Sequence, residues 1–103
     1  MRIRYSDEAV ADLQAIISFG LKEGLPDPKA FVRRLRDRLK ILAEHPMAGR
    51  EGRVDGTREL PLAGLPYIAI YLVSYETETV DVIRVLHGAR MWSAGTPGDE
   101  ACV

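Results

Sequence analysis

The sequence contains a single cysteine, Cys102, beside its C-terminal residue. It excludes an intramolecular disulfide and a cysteine-based metal cluster, and it fits a reducing cytosol. No window approaches the roughly 20 apolar residues of a membrane span. Met1 to Tyr5 lacks the apolar run of a signal peptide. A soluble, cytoplasmic protein without membrane contact is expected. The glycine-rich Gly49-Arg50-Glu51-Gly52-Arg53 lacks the lysine–serine ending of a phosphate-binding loop and does not join a strand to a helix. No cofactor and no metal are therefore expected. Internal repeats are absent too. The length, 103 residues, leaves little room beyond one domain. That domain is expected over residues 1–92, followed by a loose glycine- and acid-containing tail over 93–103.

What is present is an uneven charge. The formal net charge is −1. Yet Lys29, Arg33, Arg34, Arg36, Arg38, Lys40, Arg50 and Arg53 face only Asp37, Glu44 and Glu51 between residues 29 and 53. A neutral total with a basic stripe fits an acidic partner on one face. A solvated basic helix face is the commoner origin of such a stripe.

The hydrophobic period changes once along the chain. Arg2 to Tyr5 alternates like a short strand with Ile3 and Tyr5 inward. Ser6 is placed to cap a helix with Asp7 and Glu8 in its first turn. Val10, Leu13, Ile16, Ile17 and Leu21 continue it at helical spacing to about Gly24. Pro26-Asp27-Pro28 breaks the chain, and Asp27 can cap a second helix with Pro28 at its first position. Its stripe is Phe31, Leu35, Leu39 and Leu42, and His45-Pro46 ends it. Met47 to Gly56 is expected to be a loop. Thr57–Leu62, Tyr67–Val73 and Val80–Leu86 then read as three strands linked by short turns. The class is α+β: a strand, an antiparallel helical hairpin, then a three-stranded antiparallel meander. The helices pack on one face of the sheet, and the other face stays partly open.

Several segments carry a family resemblance. They are Gly49-Arg50-Glu51-Gly52-Arg53, Gly56-Thr57-Arg58-Glu59-Leu60, Pro66-Tyr67-Ile68 and Arg84 through Trp92, with Ala11-Asp12-Leu13 and Ile16 upstream. Together they resemble the plasmid-stabilisation, ParE-like branch of the RelE/ParE toxin superfamily over residues 2–92. The resemblance implies the fold above and a type II toxin neutralised by an adjacently encoded, DNA-binding antitoxin. RelE-like members cut messenger RNA on the ribosome; ParE-like members inhibit DNA gyrase.

Metal-free RNA cleavage needs a base, cations for the phosphate and an acid for the leaving oxygen. Family resemblance places an arginine after the aromatic residue that opens the second meander strand; here Ile68 follows Tyr67. The last strand ends in His87-Gly88-Ala89 rather than a basic cluster, and Trp92 has no titratable proton. These departures favour a gyrase-binding module over an enzyme. The alternative is a ribosome-dependent endonuclease using Arg58, Arg84 and His87. Arg84 shares a face with Val80, Val82 and Leu86, which predicts an anchoring ion pair with Glu59 or Asp81; Arg58 has the same ambiguity. Strand alternation puts Arg84 and His87 on opposite faces unless a bulge intervenes. Candidate contacts for target or antitoxin are Arg33, Arg36, Lys40, Arg50, Arg53, Arg90 and Trp92. The tryptophan fits an interface anchor or a plug at the end of the core.

Overall fold

The computed structural model describes residues 1–88. The elements run β1 (Arg2–Tyr5), α1 (Asp7–Lys22), α2 (Pro28–Leu39), α3 (Ile41–Glu44), β2 (Arg50–Glu51), β3 (Arg58–Pro61), β4 (Tyr67–Ser74) and β5 (Thr79–His87). Both predicted caps are made. Ser6 Oγ accepts from Ala9 N at 3.0 Å, and Asp27 Oδ1 accepts from Ala30 N at 3.1 Å. Each removes one of the orphan donors of a helix start.

The sheet order is β1-β5-β4-β3-β2. The meander β3-β4-β5 is antiparallel, as expected, and β1 joins its β5 side in parallel. Two elements differ from the sequence reading. Arg50–Glu51, read as loop, pairs with Arg58 and Glu59 as a fifth, outermost strand. The second helix breaks at Lys40, so Leu42 belongs to the separate turn α3. His45 still ends that turn, where the following proline disfavours helical geometry.

The helices cover one face of the sheet. Ala9, Leu13 and Ile16 of α1 meet Val32, Leu35 and Leu39 of α2 over Ala69, Tyr71, Val80, Val82 and Val85. Leu35, Leu39 and Leu42 are fully buried; such side chains contribute about 1.5–3 kcal/mol each. The stripe of α1 is rotated from the predicted one. Ala9 and Gly20 are buried, while Val10 and Leu21 are exposed. A Cβ on Gly20 would lie 3.1 Å from both Leu25 Cδ2 and Pro28 Cβ. The hairpin therefore closes through a small residue, not through the larger apolar ones beside it. On α2, Val32 takes the buried position expected of Phe31, which packs at the margin of the core.

Candidate functional site

β5 carries the residues on which the enzymatic reading rests, and its pleat is interrupted. Tyr71 pairs with Val82, but Ile70 pairs with Arg84. Ile83 is thus an extra residue, a β-bulge that resets the alternation. Val82 and Val85 both enter the core although three residues apart. Arg84 is thereby removed from the Val80–Val82 face, contrary to the sequence reading. The bulge precedes Arg84, so Arg84 and His87 remain on opposite faces, as strand alternation predicted.

Arg84 does form an anchoring pair, but with neither expected carboxylate. Its Nε and Nη2 donate to Asp12 Oδ2 and Oδ1 at 2.8 and 3.0 Å, and the backbone N–H of Val85 donates to the same Oδ2 at 2.9 Å. The physical reason is the shortness of β1, whose pairing with β5 stops at Tyr5 and Val82. Beyond it, α1 supplies the partners that a strand would give. Ser6 N and Oγ donate to Val82 O and Ile83 O, and Asp12 accepts from Val85. The Asp12 hydrogen bond raises the Arg84 pKa above the ordinary guanidinium value; burial opposes this, and the charges of Asp12 and Glu8 add to it. Arg84 is a charged clamp between α1 and β5. The other two expected partners are used elsewhere: Asp81 lies 3.7 Å from Arg4, and Glu59 lies 3.4 Å from Arg50.

Arg58 is held at the opposite side of the sheet. Its Nε donates to Gly49 O at 2.9 Å and its Nη2 to Met47 O at 3.4 Å. Beside it, the buried Tyr71 hydroxyl donates to Pro46 O and accepts from Gly49 N, both at 2.8 Å. Glu59, only 3% exposed, accepts from Arg50 Nη2 at 3.4 Å and from Arg53 N at 3.2 Å. A Cβ on Gly49 would lie 2.7 Å from Glu59 O, so the loop approaches β3 as closely as glycine allows. The Gly49–Arg53 segment, expected as loop, is thus fastened to the sheet.

His87 sits in a third place. Its ring meets Tyr67 edge-on, 5.4 Å between centroids, and Tyr67 meets Phe31 of α2 in the same way at 6.0 Å. Arg58, Arg84 and His87 thus engage a loop, a helix and an aromatic row respectively, and do not converge. Ile68, expected from the resemblance to stand where a nuclease would have a cation, is buried at 7% exposure.

The basic stripe of α2 is exposed but partly engaged. Arg36 lies 5.2 Å over the Tyr5 ring, Arg34 lies 5.5 Å over Phe31, and Lys40 pairs with Asp37 at 3.0 Å. Arg33 is exposed. Arg90 and Trp92 lie outside the described residues. Among the described residues no trio of histidine, cysteine or carboxylate side chains could hold a metal ion, and no helix is long and apolar enough to cross a membrane. Tyr71 and Asp12 were not singled out from sequence as site residues. A tyrosine inside an apolar strand run is a usable signal, because its hydroxyl must find a partner when buried. Asp12 stood out only within the family-like Ala11-Asp12-Leu13 segment, which gives it no role.

With this geometry in view, the matches to known proteins are consistent. The family described as the ParE toxin of the type II toxin–antitoxin system parDE matches residues 3–92. The chain belongs to the ParE toxin family. A Sinorhizobium fredii protein named "Putative toxin Y4kP" is 38% identical over 92 residues, 88% of this chain and 92% of that one. Among solved structures, a chain of the chromosomal ParDE system from P. aeruginosa is 26% identical with a TM-score of 0.72, covering 84% of this chain and 95% of its own. The isolated E. coli RelE toxin is 16% identical with a TM-score of 0.60, over 91% and 93% of the two chains, a likeness of fold alone. The ParE-type toxin fold expected from the sequence is the one observed.

Proposed function

We propose that this ParE-family toxin acts in the cytoplasm by binding DNA gyrase, not by cutting RNA, and that a cognate antitoxin masks it. One observation carries the reading. The three side chains that an endonuclease would need together are each committed elsewhere: Arg58 to backbone carbonyls, Arg84 to Asp12, His87 to the Tyr67 ring. The bidentate pair with Asp12 orients the Arg84 guanidinium toward α1. Arg84 also stays protonated, which leaves it unable to act as a base. The ParDE match and structures of similar fold, such as the intact E. coli RelBE toxin–antitoxin complex, support an antitoxin partner. A role in plasmid stabilisation follows from the same reading.

The test runs two assays on one preparation. Gyrase supercoiling should be blocked by the purified toxin and restored by antitoxin, while messages on translating ribosomes stay intact. Normal supercoiling at excess toxin would remove the proposal. Cut messages, with cutting lost on His87→Ala, would replace it with the endonuclease reading.

A further inference from the structure

The corner of the sheet beyond α3 holds a cavity of about 320 Å³ that the clamp, the aromatic row and the basic stripe do not touch. This lies at the low end of ligand pockets, roughly 300–1,000 Å³. It suits one side chain better than a cofactor. Met47, Val73 and Tyr75 supply apolar and aromatic surface. Met47 and Tyr75 are more than half exposed, at 53% and 62%, so the wall is available to a partner. Glu51 and Asp55 add two exposed carboxylates, and neither makes an ion pair among the described residues. Among the described residues the one cation of the lining, Arg58, directs two donors into the carbonyls of Gly49 and Met47. Two carboxylates against one engaged guanidinium leave the cavity net negative.

An aliphatic and aromatic wall beneath carboxylates matches one type of side chain, a long alkyl stem ending in a cation. The stem lies along Met47 and Val73, and the charged head meets Glu51 and Asp55 with the Tyr75 ring beside it. The same carboxylates repel phosphate, which argues against a nucleic-acid backbone. Position selects the partner. Glu51 is in β2, the outermost strand, so an extended polypeptide following that edge passes the mouth of the cavity. A segment that becomes ordered on binding suits a one-side-chain cavity at a sheet edge. We infer that this cavity receives a lysine or arginine side chain from an extended segment of the antitoxin. The identity of the occupant rests on the function proposed above; the cation preference does not.

Two measurements separate these parts. In the first, amide spectra of the isotope-labelled full-length toxin are followed during titration with N-acetyl-lysine methylamide and with its uncharged norleucine analogue. Saturable shifts at Glu51 to Arg58 and Tyr75 are expected with lysine only, and are lost in E51Q/D55N. Equal shifts with norleucine, no shifts, or shifts of the same amides by inorganic phosphate would overturn the cation site. In the second, antitoxin is titrated into wild type and E51Q/D55N by calorimetry. Loss of two exposed charge pairs predicts affinity weakened about fivefold to tenfold, with a shallower salt dependence. Both variant positions are exposed, and the amide spectrum reports whether the fold is kept. Unchanged affinity would overturn the antitoxin as occupant while leaving the toxin reading intact. No antitoxin binding to wild type would defeat that reading and the occupant together, with the lysine titration still deciding the site.

Discussion

The two margins of the sheet are finished by different means. On the β5 side, a helix carboxylate replaces a missing strand: Asp12 accepts from Val85 N and grips Arg84, whose side chain is 45% exposed. On the β2 side, a fully buried phenol and a nearly buried carboxylate pull a loop onto the sheet: Tyr71 bonds Pro46 and Gly49, and Glu59 bonds Arg50 and Arg53. The first margin can exchange its partners for water when they are lost. The second cannot, since its polar groups lie where an unmade bond carries the full desolvation cost. The β2 side should therefore be the more sensitive to mutation, although β2 itself has only two residues.

Tyr71→Ala is expected to have the largest effect. It empties a fully buried aromatic site and leaves Gly49 N–H without its acceptor. The loss should be about 3–5 kcal/mol or more, read by urea denaturation. Tyr71→Phe isolates the hydroxyl and should cost about 1–3 kcal/mol. Glu59→Gln preserves shape but removes the negative charge that meets the Arg50 guanidinium and the Arg53 backbone N–H, and should also cost about 1–3 kcal/mol. If both conservative changes prove neutral, the contrast between the margins is wrong.

The β5 margin gives the smaller numbers. Asp12→Ala removes three hydrogen bonds at once and should cost about 1–2 kcal/mol, because water can reach part of the vacated space. Arg84→Ala, after allowance for solvent screening, should cost about 0.5–1 kcal/mol. A double-mutant cycle should show coupling between them, since Asp12 touches both Arg84 and Val85. The pH dependence has a definite sign. The folded pKa of Arg84 is raised above its unfolded value. Its contribution is present below the unfolded pKa and is lost only as pH rises through the folded one. The Arg84→Ala difference should thus be flat from about pH 6 to about pH 10. A fall inside that window would mean that another group controls the clamp.

The same contrast explains what could be read from the sequence. Both helix starts were legible because a cap is a local device: Ser6 and Asp27 act within three residues of themselves. The meander was legible because its turns are short and its strands rich in β-branched and aromatic residues. The site residues were less so. The bulge at Ile83 changes which face Arg84 occupies, and no local sequence feature distinguishes Ile83 from its apolar neighbours. Asp12 lies 72 residues from its partner, so its role depends on where β1 stops. The α1 stripe was misplaced because its apolar arc is broader than its contact. Val10, Leu13, Ile16, Ile17 and Leu21 span both flanks, and Ala9 and Gly20 decided the rotation by allowing closer approach. Glu59 was read as a partner for Arg84; its bond to Arg50 instead depends on a strand that the glycine-rich composition concealed.

The basic stripe of α2 sharpens the comparison at its weak end, because it joins neither margin. Arg36 and Arg33 have the same charge and helix, but among the described residues a ring lies beneath Arg36 alone of the two, Tyr5 at 5.2 Å. A cation over an exposed-side ring contributes about 0.5–1 kcal/mol, so Arg36→Ala should lower stability by that amount. Arg36→Lys should recover only part of it, since the planar guanidinium stacks better than an ammonium. Arg33→Ala should fall within about 0.5 kcal/mol of wild type, as surface changes away from such contacts do. A cost for Arg33→Ala equal to that for Arg36→Ala would make the stripe structural along its length. With the expected order, Arg33 is the one to replace when testing whether the stripe meets an acidic partner. A weaker, less salt-dependent interaction in Arg33→Ala could then be assigned to lost electrostatics, because the fold would not have changed.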